Sequence, residues 1–155
     1  MVNFREKMLS FRHLCYKNGY LFAAFLIPVI LMGIAYISFG IYPFGGRSVL
    51  SLDLNAQYVF YFDYVHDVIG NGESLMYSWS RNLSGEFMGI IGYYLASPFN
   101  ILVWIFPRSM ITEGLLTMML AKFGACGVTF ALFAHKSQKL SKTTAALFAP
   151  MYALC

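Results

Sequence analysis

The stretch from Tyr20 to Ile41 contains no charged residue and is apolar almost throughout. As an α-helix it would be about 33 Å long, because each residue adds about 1.5 Å, and that length crosses the hydrocarbon core of a bilayer. A secretory signal peptide has a shorter apolar region, of about 7–15 residues, followed by a small-residue cleavage site. This run is longer and has no convincing site. It is therefore predicted to be an uncleaved transmembrane helix, kinked near Pro28.

Two further segments are apolar, and the composition of the whole chain agrees with them. Residues 110–134 form a second run of spanning length, and residues 143–155 begin a third. Of the 155 residues, 59% are hydrophobic and 12% are charged, whereas a soluble domain has about 25% charged residues. The sequence therefore predicts an all-α, multi-spanning integral membrane protein.

The net charge of +4 is distributed in a way that indicates membrane topology. Basic residues lie before the first span and after the second, and six of the seven acids lie between these two basic groups. By the positive-inside rule, the amino terminus is predicted to be cytoplasmic and the acidic loop to lie outside. This asymmetry is a topology signal and not a nucleic-acid footprint, so no nucleic-acid partner is expected.

The predicted organisation follows from the spans and from the turn residues between them. It consists of a basic lead (1–19), a first span (20–41), an outer loop (42–109), a second span (110–134), a cytoplasmic loop (135–142) and the start of a third span (143–155). The last segment is too short to cross a bilayer as a helix. The chain is therefore expected to be the amino-terminal fragment of a larger protein.

The outer loop contains an amphipathic stretch that is predicted to be a helix over residues 53–69. At roughly 100° per residue, one stripe of this helix is polar and another is apolar. The polar stripe consists of Asp53, Gln57, Tyr64 and Asp67, and the apolar stripe consists of Leu54, Tyr58, Phe62, Val65 and Ile69. Such a helix lies in the membrane interface, where it would hold its carboxylates over the membrane surface.

Pro98 and Pro107 bracket a second, shorter helix of the outer loop, predicted over residues 98–106. Nine helical residues reach only about 13 Å, which is too short to cross a bilayer. This segment is therefore predicted to be a re-entrant or interfacial helix. Between the two helices, residues 73–92 are predicted to form a loop rich in Ser, Gly and aromatic residues.

Two ionisable residues are the first candidates for function. Asp53 is either an acid that interacts with the helix dipole, or a general base or metal ligand at the membrane face. Lys122 lies inside the second span, where an unpaired ammonium is unfavourable. A lysine at this position indicates a function or an internal ion pair. The alternative is that its side chain snorkels to the headgroups. A small-residue edge on the same helix suits close packing against helices outside this chain. Its members are Gly124, Gly127 and Ala131.

Other polar residues of the outer loop are candidates for substrate binding. Three of them share the stripe of Asp53: Gln57, Tyr64 and Asp67. Three are arginines: Arg47, Arg81 and Arg108. A guanidinium matches the geometry of a lipid phosphate, although each arginine is equally interpreted as a solvated charge. The histidines and cysteines show no metal-ligand spacing.

Five short segments occur together in an order and spacing that cover roughly residues 45–130. They are Asp53-Leu54-x-x-Gln57-Tyr58, Tyr77-Ser78-Trp79, Gly85-Glu86-Phe87, Tyr93-Tyr94-Leu95-Ala96-Ser97-Pro98-Phe99-Asn100 and Lys122-Phe123-Gly124. In these segments the chain resembles the start of the bacterial YfhO membrane-protein family. The combination of the first with the fourth is fairly specific. The turn at residues 82–86 departs from the resemblance, because it contains less glycine than expected.

The resemblance implies a multi-spanning glycosyltransferase of the type C fold in the bacterial plasma membrane. Such enzymes take a sugar from a polyprenyl-phosphate carrier on the outer face and add it to a cell-envelope polymer such as teichoic acid. The resemblance also implies that Asp53, the first acid after the first span, is the catalytic base. Arg47, Arg81 or Lys122 would then stabilise the carrier phosphate as it leaves. No cofactor is certain, and a divalent cation stays open.

A non-enzymatic function is the alternative. In a transporter or an envelope-assembly scaffold, Lys122 would line a translocation path or pin helices together. An acidic helix over a groove open to the outer leaflet would indicate the enzyme. An acidic helix that plugs a central cavity would indicate the transporter.

Overall fold

The computed structural model describes residues 4–79 and 85–155, with side chains from residue 18 onward. The chain divides into two compact units. The first consists of Met1–Ala35 and Leu120–Cys155, and the second of Tyr36–Met119. Both are mostly helical, as predicted, but the second also contains one short β-hairpin.

Helix α1 (Phe4–Ser38) is one continuous helix, whereas the sequence predicted a separate lead followed by a span over 20–41. It continues through Pro28, because an apolar helix tolerates the lost backbone hydrogen bond when its surroundings compensate. The helix ends three residues before the predicted boundary at Ile41. Gly40 adopts a left-handed φ of 63°, and the amide of Ile41 donates to the carbonyl of Tyr36 at 2.9 Å, which closes the last turn.

The first unit also contains most of α5 (Ile111–Lys136) and all of α6 (Lys142–Ala153). Helix α6 begins at a capped end, since the Ser141 hydroxyl accepts a hydrogen bond from the amide of Thr144 at 3.1 Å. The core of this unit is built from alanines that let the helices approach closely. They are Ala24, Ala131, Ala134, Ala145 and Ala149.

The small-residue edge of α5 packs against α1 within this unit, so the expectation that it faces helices outside the chain is wrong. A Cβ atom on Gly124 would lie 2.5 Å from the Phe25 ring, and one on Gly127 would lie 2.2 Å from the carbonyl oxygen of Ala24. Glycine allows the close approach at both positions, and at Gly127 the group in the way is a backbone carbonyl that cannot rotate aside. The partner helix is the first span of the same chain.

The second unit contains the loop region and the start of α5. Its elements in chain order are a π turn (Leu54–Tyr58), α2 (Val59–Asn71), β1 (Tyr77–Ser78), β2 (Gly85–Glu86), α3 (Met88–Ile90), a second π turn (Ile91–Leu95), a 3₁₀ turn (Pro98–Asn100), α4 (Ile101–Ile105) and a further 3₁₀ turn (Arg108–Met110). The strands β1 and β2 are antiparallel, with Tyr77 opposite Glu86. The hydrophobic core of the second unit is formed by side chains of α2, the π turns, α4 and α5.

The segment over 73–92, predicted as a loop, contains the two strands of the hairpin and the first part of the helical stretch Met88–Leu95. Its glycines made it resemble a loop. However, Phe87, Ile90 and Leu95 are buried in the core of the unit, and this burial outweighs the low helix propensity of glycine.

Among the described residues, two helical segments are long and apolar enough to cross a membrane, Asn18–Ser38 and Arg108–Lys136. The pair Met88–Leu95 and Pro98–Ile105 has the composition of a third span, but it is bent by 95° at the break between its two halves. A helix cannot continue from Ala96 into Pro98 without losing backbone hydrogen bonds, and it stops again before Pro107. The short helix predicted over 98–106 is thus a 3₁₀ turn followed by α4.

The contact between α5 and α1 predicts the effect of adding one methyl group. In Gly127→Ala, the new Cβ collides with the Ala24 carbonyl, so the two backbones have to separate. Overpacking of this kind costs about 1–3 kcal/mol. The thermal midpoint of the purified protein in detergent should therefore fall. Gly33→Ala is the matched control, since nothing lies within 4 Å of its added methyl, and an equal fall in both variants would contradict the packing.

Candidate functional site

The backbone around Asp53 is irregular in two consecutive places. Leu52 has a left-handed φ of 48°, which is unfavourable for a residue with a branched side chain, and Leu52 itself is 88% exposed. Directly after Asp53, the segment Leu54–Tyr58 forms a π turn. Single π turns and strained φ values occur preferentially at functional sites. This part of the chain is therefore the first candidate.

The π turn changes the face of the helix on which Asp53 lies. It adds about one residue to the turn, so the residues before it are rotated by roughly 100° from the positions that a regular α-helix gives them. The polar stripe predicted to join Asp53 and Gln57 to Tyr64 and Asp67 is therefore not continuous. Ile69, predicted on the apolar stripe, is 66% exposed.

The Asp53 side chain is exposed and does not cap the helix. Its own backbone is helical, with φ −61° and ψ −28°, whereas a capping residue has extended dihedral angles. Within the described part of the chain, no group donates a hydrogen bond to its carboxylate. Gln57, four residues further on, is exposed as well. Both side chains face away from the packed core of the unit.

The two π turns contact each other through tyrosine rings. Tyr94 of the second turn packs edge-on against Tyr58 of the first, with ring centroids 4.9 Å apart. It also contacts Tyr61 at 5.3 Å and its neighbour Tyr93 at 4.6 Å. We call these four residues the tyrosine cluster. Burial raises the pKa of Tyr94 most, the neighbouring tyrosines raise it further, and the charge of the Asp53 carboxylate contributes least, so the acid lies in the vicinity of the cluster.

Asn100 holds the second π turn in its bent position. Its side chain is only 2% exposed, and its Nδ2 donates to the carbonyl oxygen of Tyr94 at 3.4 Å. This carbonyl lies just before the 95° break, where the helical hydrogen-bond pattern is interrupted. Within the segment Tyr93–Asn100, the tyrosines therefore form the contact with the first π turn, and the asparagine bonds to the backbone at the bend.

Tyr64, a candidate for substrate binding, is buried instead. Its side chain is 7% exposed, and its hydroxyl donates to the carbonyl oxygens of Ser74 at 2.9 Å and of Tyr77 at 3.2 Å. Its ring packs edge-on against Phe87 at 4.4 Å. The segment after α2 folds back over this edge of the helix, which a helical projection of the sequence does not reveal. Tyr64 thus connects α2 to the hairpin.

Asp67 is engaged in an ion pair with Arg108. The Arg108 Nη1 donates to Asp67 Oδ1 at 2.5 Å, and Nη2 donates to Asp63 Oδ2 at 2.5 Å. Arg108 Nε also donates to Asp63 Oδ1, so that the guanidinium binds Asp63 through two parallel hydrogen bonds. Asp63 was not predicted, although its spacing of four residues from Asp67 puts both on one face of α2. We call this group the arginine clamp.

A second polar contact involves the start of α5. The Tyr42 hydroxyl donates to the Glu113 carboxylate at 2.8 Å. The hydrogen bond to Glu113 raises the pKa of Tyr42, and the negative charge of that carboxylate and partial desolvation raise it further. Both contacts, this one and the arginine clamp, restrain the first residues of α5 within the second unit.

The remaining candidates are not brought into one group. Arg47 is exposed, and its backbone pairs with Tyr42 and Gly40 at the closing of a tight turn. Arg81 lies outside the described residues. Lys122 is exposed on α5 in the first unit. Within residues 18–79 and 85–155, no group of three His, Cys, Asp or Glu side chains is arranged to hold a metal ion.

Two buried ring nitrogens lack a hydrogen-bond partner in the described part of the second unit: His66 Nε2 and Trp104 Nε1. Trp104 packs against the core of the unit.

Residues 23–155 match the family model described as bacterial membrane protein YfhO. The chain belongs to the YfhO family. No curated protein and no solved structure matches it. The matched residues include the whole second unit, so the tyrosine cluster, Asp53 and the arginine clamp all lie in the part of the chain that carries YfhO membership. Family membership and two apolar helices of spanning length identify a membrane protein.

The hydrogen bonds of Tyr64 predict the effect of removing one hydroxyl. Tyr64→Phe leaves the ring in place but removes the donor to two carbonyls, which should lower the free energy of unfolding by about 0.5–1.5 kcal/mol. Tyr93→Phe is the control, because this ring is 81% exposed and should change the stability little. Thermal unfolding in detergent measures both. Equal stability of the two variants would contradict the structural role of the Tyr64 hydroxyl.

Proposed function

We propose that this YfhO-family protein belongs to a membrane glycosyltransferase that takes sugar from a polyprenyl-phosphate carrier. The acceptor is a cell-envelope polymer such as a teichoic acid, and Asp53 is the general base. The observation that carries the proposal is the state of Asp53. Its carboxylate is exposed, serves no capping role and lies beside a strained residue, a π turn and an aromatic cluster.

The backbone around Asp53 argues against the interpretation that this acid only interacts with the helix dipole. An acid in the first turn interacts favourably with the helix dipole without any hydrogen bond, so the dipole alone is compatible with Asp53. The dipole does not account for the left-handed backbone conformation of the residue before it, and Asp53 has no additional role as a cap. A structural acid needs no such strain. A carboxylate held outward at the start of a helix is suited to meeting a substrate hydroxyl.

The proposed reaction is a direct displacement at the anomeric carbon of the sugar. The Asp53 carboxylate accepts the proton of the acceptor hydroxyl while the acceptor oxygen bonds to the anomeric carbon. The bond between that carbon and the carrier phosphate oxygen breaks, and the phosphate leaves with the electron pair. The configuration at the sugar carbon is inverted. Each bond formed is balanced by one broken, and no oxidant is required.

Other residues of the second unit supply binding groups for such a reaction. Exposed Gln57 offers an amide that donates to and accepts from sugar hydroxyls. The exposed face of Tyr93 offers an apolar ring surface at the edge of the cluster. Arg47 is exposed and carries a guanidinium that matches phosphate geometry, and we assign Arg47 and Arg81 to the carrier phosphate.

Replacing Asp53 by Asn tests the proposal while keeping the shape of the side chain. Because general base catalysis supplies about 10²–10⁴-fold, sugar transfer should fall by at least about two orders of magnitude. The measurement is sugar incorporation into envelope polymer by membranes that contain matched amounts of each variant. Glu73→Gln, which alters another exposed acid of the second unit, is the control and should transfer sugar normally. Normal transfer by Asp53→Asn would remove its catalytic role.

We also propose that the amino terminus is cytoplasmic and that the region 42–109 faces outward. Basic residues on both sides of the acidic region support this orientation. Single cysteines at Glu73 and Ser137, in a protein without its native cysteines, should react with an impermeant thiol reagent from opposite sides of the membrane. Reaction of both from the same side would contradict the orientation.

A further inference from the structure

One face of α5 is unusual because it carries a charge in the middle of an apolar helix. Lys122, Cys126, Thr129 and Phe133 follow each other at spacings of three and four residues and so lie on one side of the helix. We call this side the lysine face. Lys122 and Thr129 are exposed, and Phe133 is 55% exposed. The face is thus not covered by the described residues of the first unit.

The lysine face is distinct from the packing edge of α5. Gly124 and Gly127, which contact α1, are about 140–160° around the helix from Lys122. Ala131 and Ala134, further along α5, are buried with alanines of α6 and lie about 120–180° from Lys122, on the same side as the glycines. The chain therefore occupies one side of the helix, and the lysine face is on the opposite side.

The depth of Lys122 prevents its ammonium from reaching the membrane surface. The candidate span runs from Arg108 to Lys136, so Lys122 lies 14 residues from either end. At about 1.5 Å per residue, this is about 21 Å along the helix in both directions. A four-carbon side chain snorkels from near a helix end but does not cover half a bilayer, which is about 15 Å of hydrocarbon.

No acid among the described side chains of the first unit, which begin at residue 18, is available to neutralise Lys122. Residues 18–35 and 120–155 contain neither Asp nor Glu. Glu113 lies on the same helix, but it is nine residues away, about 13 Å along the axis and on the opposite side. Its carboxylate already accepts a hydrogen bond from Tyr42. In the described part of the chain, Lys122 takes part in no ion pair.

The apolar face of α1 is a surface suited to lipid, and it differs from the lysine face. On α1, large apolar side chains recur every four residues and are about half exposed: Phe22, Leu26, Ile30 and Ile34. The lysine face offers a cation, a thiol and a hydroxyl instead. Small polar residues at such positions allow helix backbones to approach closely, and an ionisable residue within a span generally faces protein or a water-filled cavity.

We propose that the lysine face docks a transmembrane helix that carries an Asp or Glu at the middle of the membrane. The carboxylate pairs with the Lys122 ammonium, and Cys126 and Thr129 form the close contact. A second copy of this chain does not fit, because Asn18–Ser38 contains no acid and Glu113 lies near one end of Arg108–Lys136. The inference is independent of the proposed glycosyl transfer.

Photocrosslinking in native membranes tests the occupant of this face. A photoreactive amino acid replaces Phe133, which lies on the lysine face without touching the charge, and a control replaces Ile30 on the apolar face of α1. We expect the probe at 133 to form an adduct with a polypeptide. Mass spectrometry should identify an apolar segment with a central Asp or Glu. The probe at 30 should give mainly lipid adducts.

The charge is tested in the same assay. Lys122→Met should reduce the polypeptide adduct at 133 by about tenfold or more, because loss of one partner leaves a buried charge uncompensated. Lys122→Arg keeps the charge and should restore the adduct. Three results would overturn the proposal: a lipid adduct alone at 133 with Lys122 intact, including one with a lipid phosphate carrier; a crosslinked segment without a carboxylate; or an equal yield in Lys122→Met.

Discussion

In hydrocarbon, a backbone amide or carbonyl has no water to bond to, so every interruption of a helix has to be satisfied by the protein itself. Two places in this chain illustrate the constraint. At the end of α1, Gly40 takes a left-handed conformation that returns the amide of Ile41 to the helix. At the 95° break, the buried amide of Asn100 donates to the Tyr94 carbonyl. A buried side chain thus takes the place of a backbone donor at the bend.

The sequence predicted much of the fold, because apolar runs of spanning length and paired prolines are strong local signals. The two candidate spans and the break before Pro98 follow from these signals alone. What the sequence did not predict depends on contacts between distant residues. Met88–Leu95 is helical because of burial, and the partner of Gly127 is Ala24, more than a hundred residues earlier. Periodicity contains no information about such partners.

The candidate site was predicted in part, for a similar reason. Asp53 was chosen as a candidate because it is the first acid after the first span. The polar stripe predicted around it, however, assumed a regular α-helix. The π turn at Leu54–Tyr58 rotates that end of the helix, and Tyr64 is buried under the segment that follows α2. Asp63 was missed because the projection favoured Asp67, although Arg108 binds both. A single extra residue in one turn therefore changed which side chains act together.

Both tryptophans of the chain, Trp79 and Trp104, lie in the second unit. Trp79 is 82% exposed next to Tyr77, whereas Trp104 packs against the core with a buried indole nitrogen. All indole fluorescence therefore originates from the unit that contains Asp53. The exposed indole emits at longer wavelength than the packed one, so the spectrum has two separable components. The emission wavelength therefore reports directly on rearrangements of the second unit, such as those caused by a bound ligand.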